Sequence, residues 1–465
     1  MKKYLNKYSF FSYAVLGLLI IRAFLNWVVP LMDKTEARYS EIARIMAETN
    51  NWITPQIDYG VPFWAKPPLS TWLSAISFKF FGVNEFTARL PYFLLVILLV
   101  FLIGKYAKRK QLPLFLPGFI LLTLPEFLIH AGVVSTDTAL AFSVALVMLS
   151  FWETLQDNAK SYWKYLIFVG FGLGLLAKGP IIFILTLPPL VIWCVLFRYY
   201  TIIFKRIPWV IGSIITMVVA LPWYLLAEKQ TPGFIDYFII GEHFMRFFDS
   251  SWTGDKYGFP KSQPLGMIWI FLLLFALPWI QALLLKLWQN SNKILKNKWI
   301  AFLLLWLLWT PLFFTVSRSL IHPYIMPVMV PLALLITHWW KSIKHQKTII
   351  RLSLIVPVFS VIIYAYGSIN NQLQFYSNTD KYFIENNAQF DNIYHLEHKS
   401  YSGQFYSKGT IKSISISQMD ELEPKESFCF IIPNRDFAKV SKKITDQLLL
   451  IESNYKKGIY TYKNK

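Results

Sequence analysis

Runs of about twenty apolar residues recur along the first 370 positions, separated by short polar connections, and then stop. They lie near 9–31, 86–104, 112–130, 135–152, 163–178, 180–198, 208–228, 264–286, 299–316, 319–340 and 349–368. Each is long enough to cross the hydrocarbon core of a bilayer as a helix, so the pattern predicts about eleven spans. The opening MKKYLNKY and the run behind it have the layout of a secretion signal, but VVPLM is a poor cleavage site, and an uncleaved first span is the better reading. Two apolar stretches break the rule. In 33–48, DKTEARYSEIARIMAE, helical spacing puts Tyr39, Ile42, Ile45 and Met46 on one face, with Glu36, Arg38, Glu41, Arg44 and Glu48 charged. This predicts an amphipathic helix on the membrane surface. The stretch 69–82 is apolar but too short to span and is predicted to be re-entrant or interfacial.

After residue 368 the period changes. NIYHLE, TIKSISI, SFCFIIP, LLLIES and GIYTY are short β-rich runs between polar turns, with a helix expected around 435–447. The expected fold class is therefore an α-helical polytopic membrane protein of about 11–13 transmembrane helices, with a small C-terminal α/β domain. The expected domains are 1–368, including a first external loop 32–85, and 369–465.

Charge sharpens the topology. The chain is 55% hydrophobic, 18% aromatic and only 15% charged, yet carries a net +20. Its cations do not form the stripe expected of a nucleic-acid binder. They gather in four connections: Lys105–Lys110, Arg198–Arg206, Lys286–Lys298 and Lys341–Arg351. With the N-terminal lysines, all of these fall on one side of the span count, and the positive-inside rule makes that side cytoplasmic. The intervening connections and the C-terminal domain then face outward. The two cysteines, Cys194 and Cys429, lie in different regions and predict neither a disulfide nor a metal site.

Polar chemistry concentrates on the outward connections. Asp33 and Glu36 open the amphipathic helix, where they either form a capping box or present carboxylates to an acceptor. Arg38 and Lys66 read as surface or headgroup cations, or as phosphate ligands. Asp137 begins a span, as a cap or as a carboxylate facing a wet cavity. Lys178 and Arg318 sit at span ends, where snorkelling and anion binding both fit. Tyr39, Tyr59, Trp64, Glu242, His243, His322 and Tyr324 complete the candidates as substrate contacts, with a surface ion pair the plain reading of Glu242 beside Arg246. His395 and His398 are ordinary residues of the C-terminal domain.

Several of these stretches together resemble one family. TEARYSEIARIM, NNWITPQIDYGVPFWAKPPLSTWL, FGVNEFTARLP, STDTALAF, LLAKGP, LPWYLLAEKQTPGFIDYFIIGEHFMRF and SRSLIHPYIMP follow in the order found in bacterial glycosyltransferases related to 4-amino-4-deoxy-L-arabinose lipid A transferase and to protein O-mannosyltransferases. The resemblance spans roughly residues 10–340. It implies a GT-C fold, a polyprenyl (undecaprenyl) phosphate-linked sugar donor, a lipid or glycan acceptor, and an active site over the first external loop of a cytoplasmic (inner) membrane protein. It implies donor-phosphate binding by Arg38, Lys66, Lys178 and Arg318, and a catalytic carboxylate among Glu36, Asp33 and Asp137. It names no certain cofactor and leaves a divalent metal open. Two departures stand out: Thr35 replaces the Asp of the family's Asp-Glu pair, and Ala65 replaces the Glu before Lys66. Both point to a substrate other than that of the aminoarabinose enzymes. The competing class is a transporter or lipid flippase, but no internal repeat is visible.

Overall fold

The computed structural model describes residues 2–246, 254–258, 263–390, 392–422 and 428–463, with side chains from residue 9 onward; the N-terminal lysines and part of the loop 229–263 lie outside the described side chains. Helices occupy every predicted span: α1 (Lys2–Val28), α4 (Glu85–Arg109), α5 and α6 (Leu116–Thr123, Pro125–His130), α7 (Thr136–Thr154), α8 (Trp163–Lys178), α9 (Ile181–Leu196) and, after the short connecting helix α10 (Tyr200–Arg206), α11 (Trp209–Gln230), then Met267–Phe275 with Trp279–Gln289, Lys298–Phe314, Met326–Trp339, and Gln346–Ser353 with Ile355–Ile369. Among the described residues six helices are long and apolar enough to cross a bilayer alone, and a bent pair makes a seventh. The other predicted spans are met by shorter or interrupted helices. The run 112–130 breaks before Pro125, and 264–286 bends by 104° between Phe275 and Trp279, around Pro278. Proline removes a helix donor and crowds the preceding turn, so both breaks have a local cause.

Layering follows apolar breadth. In Met326–Trp339 every residue from Met326 to Thr337 is buried, as expected of a helix apolar on all sides and placed at the centre. On the outside, Trp27, Val218, Ile363 and Ile369 are each more than 60% exposed, the surface a lipid-facing helix presents. Small residues set close crossings: at Gly212 of α11 a Cβ would come within 2.0 Å of Phe168 of α8.

The four basic connections do meet at one end of the bundle. Arg109 pairs with Glu153 at 2.7 Å, Arg206 donates to the Leu155 carbonyl at 2.8 Å, Lys298 reaches Tyr199 at 3.1 Å and Lys286 the Ser342 carbonyl at 2.7 Å. The first loop and the C-terminal domain lie at the opposite end. There α2 (Thr35–Thr49), a hairpin of β1 (Gln56–Asp58) and β2 (Val61–Pro62), and α3 (Leu69–Phe81) form a platform. The amphipathic helix is not half-exposed as expected. Glu36, Glu41 and Arg44 of α2 are buried along with its apolar face, because the C-terminal domain covers the other side. The expected capping box is also absent: Lys34 holds the N-cap position and offers no side-chain bond.

The C-terminal domain is a mixed five-stranded sheet in the order β4-β3-β5-β7-β6, with β3 (Asn392–Leu396), β4 (Lys412–Ile414), β5 (Phe428–Pro433), β6 (Leu448–Ser453) and β7 (Lys457–Tyr462). β3 runs parallel to β4 and β5, and β7 antiparallel to β5 and β6. The helix expected over 435–447 is two short turns, Asn434–Phe437 and Lys442–Thr445. The domain docks onto the platform through Phe405, which joins the platform's apolar core, and through polar contacts. Asp33 accepts from Ser402 N at 3.0 Å and Oγ at 2.5 Å, Leu31 N donates to Tyr406 at 2.8 Å, Lys381 pairs with Glu85 at 2.5 Å, and Lys399 pairs with Asp58.

Candidate active site

Five separate chain segments, two of them paired, bring charge to one place above the bundle. From α2 comes Arg38, whose Nη1 donates to the Tyr257 carbonyl at 2.8 Å. Its guanidinium lies 5.4, 5.5 and 5.8 Å from the rings of Tyr39, Phe63 and Tyr401, and its buried Nε has no hydrogen-bond partner among the described residues. From the loop before α3 comes Lys66, whose Nζ lies 2.9 Å from Glu242. Trp64 fixes that loop: its Nε1 donates to Thr231 at 3.1 Å and its backbone N to Tyr257 at 3.1 Å.

The third contribution is a pair of helix ends, the start of α7 and the end of α8. Ser135 caps α7 by accepting from Asp137 N at 3.0 Å, which holds Asp137 at the first turn. Lys178, the last residue of α8, donates to Asp137 at 2.6 Å and sits 4.1 Å from the centre of the Tyr324 ring. The fourth is the segment Asp236–Met245, which is π-helical rather than an ordinary turn of α-helix. It presents Glu242 to Lys66, to Arg246 at 3.0 Å and to the Tyr237 hydroxyl at 3.3 Å, while Arg246 reaches Asp255 at 3.6 Å. This is not the surface ion pair that the spacing suggested: the Glu242 side chain is 2% exposed. Burial would raise its pKa, but Lys66 and then Arg246 outweigh it and hold the carboxyl at about 2. His243 lies within hydrogen-bond distance of the Phe238 carbonyl at 2.8 Å and the Lys178 carbonyl at 3.2 Å, tying this segment to α8, and burial keeps its pKa below the usual value.

The sign of the site follows from its members. Arg38, Lys66, Lys178, Arg246 and Lys256 are five cations; Asp137, Glu242 and Asp255 are three carboxylates; five less three leaves two positive charges. Among the described residues, Arg38 and Lys256 have no carboxylate partner. Lys256 instead lies 4.3 Å from the Trp64 ring centre. Such an arrangement favours an anion, and it sits beside aromatic walls suited to a ring or chain.

Other predicted residues stand elsewhere. Glu36 accepts both ways from Arg89 at 2.8 and 2.7 Å, and also from Val134 N at 3.3 Å; Arg89 in turn binds the carbonyls of Asn26, Val29 and Pro30. Burial opposes ionisation of Glu36, yet Arg89 holds its pKa below the usual range. Asp33 faces Ser402 and Lys457 at the domain interface. Tyr59 bonds Glu48 at 2.8 Å at the outer edge of α2. Arg318 is exposed, and its carbonyl accepts from Gln263 N at 2.8 Å. His322 turns to Glu126 at 3.0 Å. The sequence reading assigned no role to Lys256, Tyr257 and Tyr401. The first two lie in a polar loop with no pattern of its own, and Tyr401 reaches the site only through the docking of a distant domain.

Known proteins resemble this chain in sequence and in fold. Residues 9–238 match the family described as Dolichyl-phosphate-mannose-protein mannosyltransferase. The chain is 29% identical over 316 residues to Undecaprenyl phosphate-alpha-4-amino-4-deoxy-L-arabinose arabinosyl transferase 2 of Pseudomonas fluorescens (strain Pf0-1), covering 65% of this chain and 54% of that one. It is 29% identical over 327 residues to the corresponding transferase of Shewanella sediminis (strain HAW-EB3), covering 66% and 55%. The match thus spans just over half the length of these relatives. Among solved structures, ArnT from Cupriavidus metallidurans bound to undecaprenyl phosphate superposes with a TM-score of 0.77 at 16% identity over 97% of this chain and 98% of that one, and its apo form with 0.76 at 15%. The fold is therefore that of a polytopic GT-C membrane protein. More narrowly, the chain is similar in sequence to the GT-C family that contains the aminoarabinose transferases and the protein O-mannosyltransferases.

Proposed function

We propose that this chain is a membrane glycosyltransferase that moves a sugar from an undecaprenyl-phosphate carrier to lipid A or another cell-surface glycan, glycolipid or protein, on the outer face of the cytoplasmic membrane. One observation carries the reading: the surplus of two positive charges where Arg38, Lys66, Lys178, Arg246 and Lys256 meet. The names of the relatives support the choice of carrier, and the basic clustering at the far end of the bundle supports the orientation. In this reading residues 1–368 form the transferase and 369–465 an outward domain that closes over it.

Chemically, the acceptor attacks the anomeric carbon from the side opposite the phosphate. The new glycosidic bond forms as the C–O bond to the phosphate breaks, with inversion, and the polyprenyl phosphate leaves with the electron pair. Arg38, Lys66 and Lys178 stabilise that leaving charge where it develops. Glu36 and Asp33 bind Arg89 and Ser402 away from the cluster, so of the three candidates from the sequence Asp137, held beside Lys178 within it, is the one that would receive an acceptor proton or orient an acceptor phosphate. Tyr39, Trp64, Tyr237 and Tyr324 form the walls. Membranes carrying Lys66→Ala, supplied with polyprenyl-phosphate sugars, should transfer at least about 100-fold more slowly while the protein inserts at normal levels. Near-normal transfer by that variant would refute the role of Lys66 and weaken the assignment of the cluster.

A further inference from the structure

Below this site lies a second group that the transfer chemistry does not use. Glu126 and His130 are four residues apart on α6, the spacing that stacks two side chains on one helix face. His322 reaches them from a short 3-10 turn, His322–Ile325, nearly two hundred residues away in the chain. Glu126 Oε1 lies 2.8 Å from His130 Nδ1, and Oε2 lies 3.0 Å from His322 Nδ1. One ligand atom from each of the three comes within 4.8 Å of the other two.

We propose that Glu126, His130 and His322 form a binding site for one divalent transition-metal ion of the zinc class. Three observations carry this. The first is the donor set. Two imidazoles and one carboxylate are the ligands of open tetrahedral zinc sites, and borderline nitrogen donors select zinc and its neighbours over magnesium or calcium. The second is spacing. Tetrahedral bonds of about 2.0–2.1 Å separate ligand atoms by roughly 3.3 Å, a little more than the 2.8 and 3.0 Å from Glu126 to the two imidazoles, so small side-chain rotations suffice. The third is burial. Glu126 is 0% exposed within an apolar bundle and, among the described residues, forms no ion pair with a lysine or arginine. A carboxylate so placed needs positive charge from its immediate neighbours.

The surroundings also favour fixed ligands. The His322 ring stacks on Phe275 at 4.7 Å with an interplanar angle of 8°, and lies 5.1 Å from the His130 ring. The His322 side chain is 37% exposed, which leaves an open side for entry and for a fourth ligand such as water. The ion would pin α6 to the His322–Ile325 turn. Asp137 follows closely after His130, and Tyr324 belongs to that turn, so the ion would brace two walls of the candidate site without touching the reacting atoms. The sequence reading names no metal ligands, because Glu126 and His130 fall within one apolar run and His322 reads as a substrate contact.

The test uses the whole protein in detergent or nanodiscs, stripped with a chelator and titrated with Zn2+ or Co2+. Uptake of one equivalent per chain is expected, and bound Co2+ should show the intense visible absorption of a four- or five-coordinate nitrogen–oxygen site. His322→Ala and Glu126→Gln should each weaken that binding by more than about 100-fold, since even loss of an outer-shell partner costs 10–100-fold. His345→Ala and His398→Ala, at exposed positions, should leave it unchanged. Absence of the equivalent in the wild-type protein, or wild-type affinity in either His322→Ala or Glu126→Gln, would overturn the proposal. The readout is independent of any transfer activity.

Discussion

At the scale of single residues, the ordering of carboxylates by environment separates architecture from chemistry. Glu36 and Arg89 form a buried, doubly hydrogen-bonded pair that ties α2 to the start of α4 and the end of α1. Removing one partner of such a pair strands a charge and costs about 3–5 kcal/mol, whereas replacing both with apolar residues is often near neutral. Arg89→Met should therefore lower the unfolding free energy of the solubilised protein by about that much, and Glu36→Met added to it should restore most of the loss. A loss below about 1 kcal/mol for the single variant would show that the pair is not the tether described. Glu242 gives a pH limb of defined sign. Its folded pKa, about 2, lies below the ordinary 4.5, so the stability it contributes is complete above pH 4.5 and is lost as pH falls from 4.5 towards 2. Thermal unfolding midpoints of the wild type should fall across that window, and Glu242→Gln should flatten this part of the curve.

At the scale of elements, what periodicity could show and what it could not are both visible in α2. Helical spacing located it to within two residues at its start and one at its end, but its burial on both faces depends on a domain more than 300 residues away. Likewise the strand runs after 392 were legible from alternation, while the role of Asp33 was not, because a capping position and an interdomain anchor look alike in one dimension. The bends at Pro125 and Pro278 coincide with prolines already on the page; neither could be told from the prolines that α4, α9 and α11 accommodate without a break. Among site residues, Lys66, Asp137, Lys178 and Glu242 were legible because charges at apolar boundaries stand out. Lys256, Tyr257 and Tyr401 were not, since only tertiary contact recruits them. The interface that recruits Tyr401 hinges on Lys457, which bonds Asp380 at 2.6 Å and lies 3.9 Å from Asp33. Burial acts against the Asp380 carboxylate, and Lys457 holds its pKa below the usual range nonetheless. Lys457→Met should leave both carboxylates uncompensated and loosen the docking. Hydrogen exchange in Tyr401–Tyr406 and β3 should then accelerate at least about tenfold while α7 and Met326–Trp339 stay protected. Unchanged exchange would mean that the docking rests on apolar contacts such as Phe78 with Phe405 instead.

At the scale of the molecule, the two ends of the bundle differ in kind. One gathers Arg109, Arg206, Lys286 and Lys298 into contacts with neighbouring connections. The other gathers the mixed-charge cluster and the C-terminal domain. In the orientation proposed above, with the basic connections on the side where the chain is made, the cluster lies at the outer face, where a lipid-borne phosphate and a surface acceptor would meet. The two native cysteines make the assignment straightforward to test. Cys429 is fully buried, and burial pushes its thiol up to about 12, so little reactive thiolate forms; Cys194 lies within the apolar helix α9. Neither should react with a membrane-impermeant maleimide. In right-side-out vesicles Thr410→Cys, at an exposed turn before β4, should be modified, and Ser291→Cys, exposed between Trp279–Gln289 and Lys298–Phe314, should react only after permeabilisation. The reverse order would place the cation cluster in the cytoplasm. A carrier-linked sugar presented on the outer leaflet would then be out of its reach, whatever the geometry of Arg38, Lys66 and Lys178.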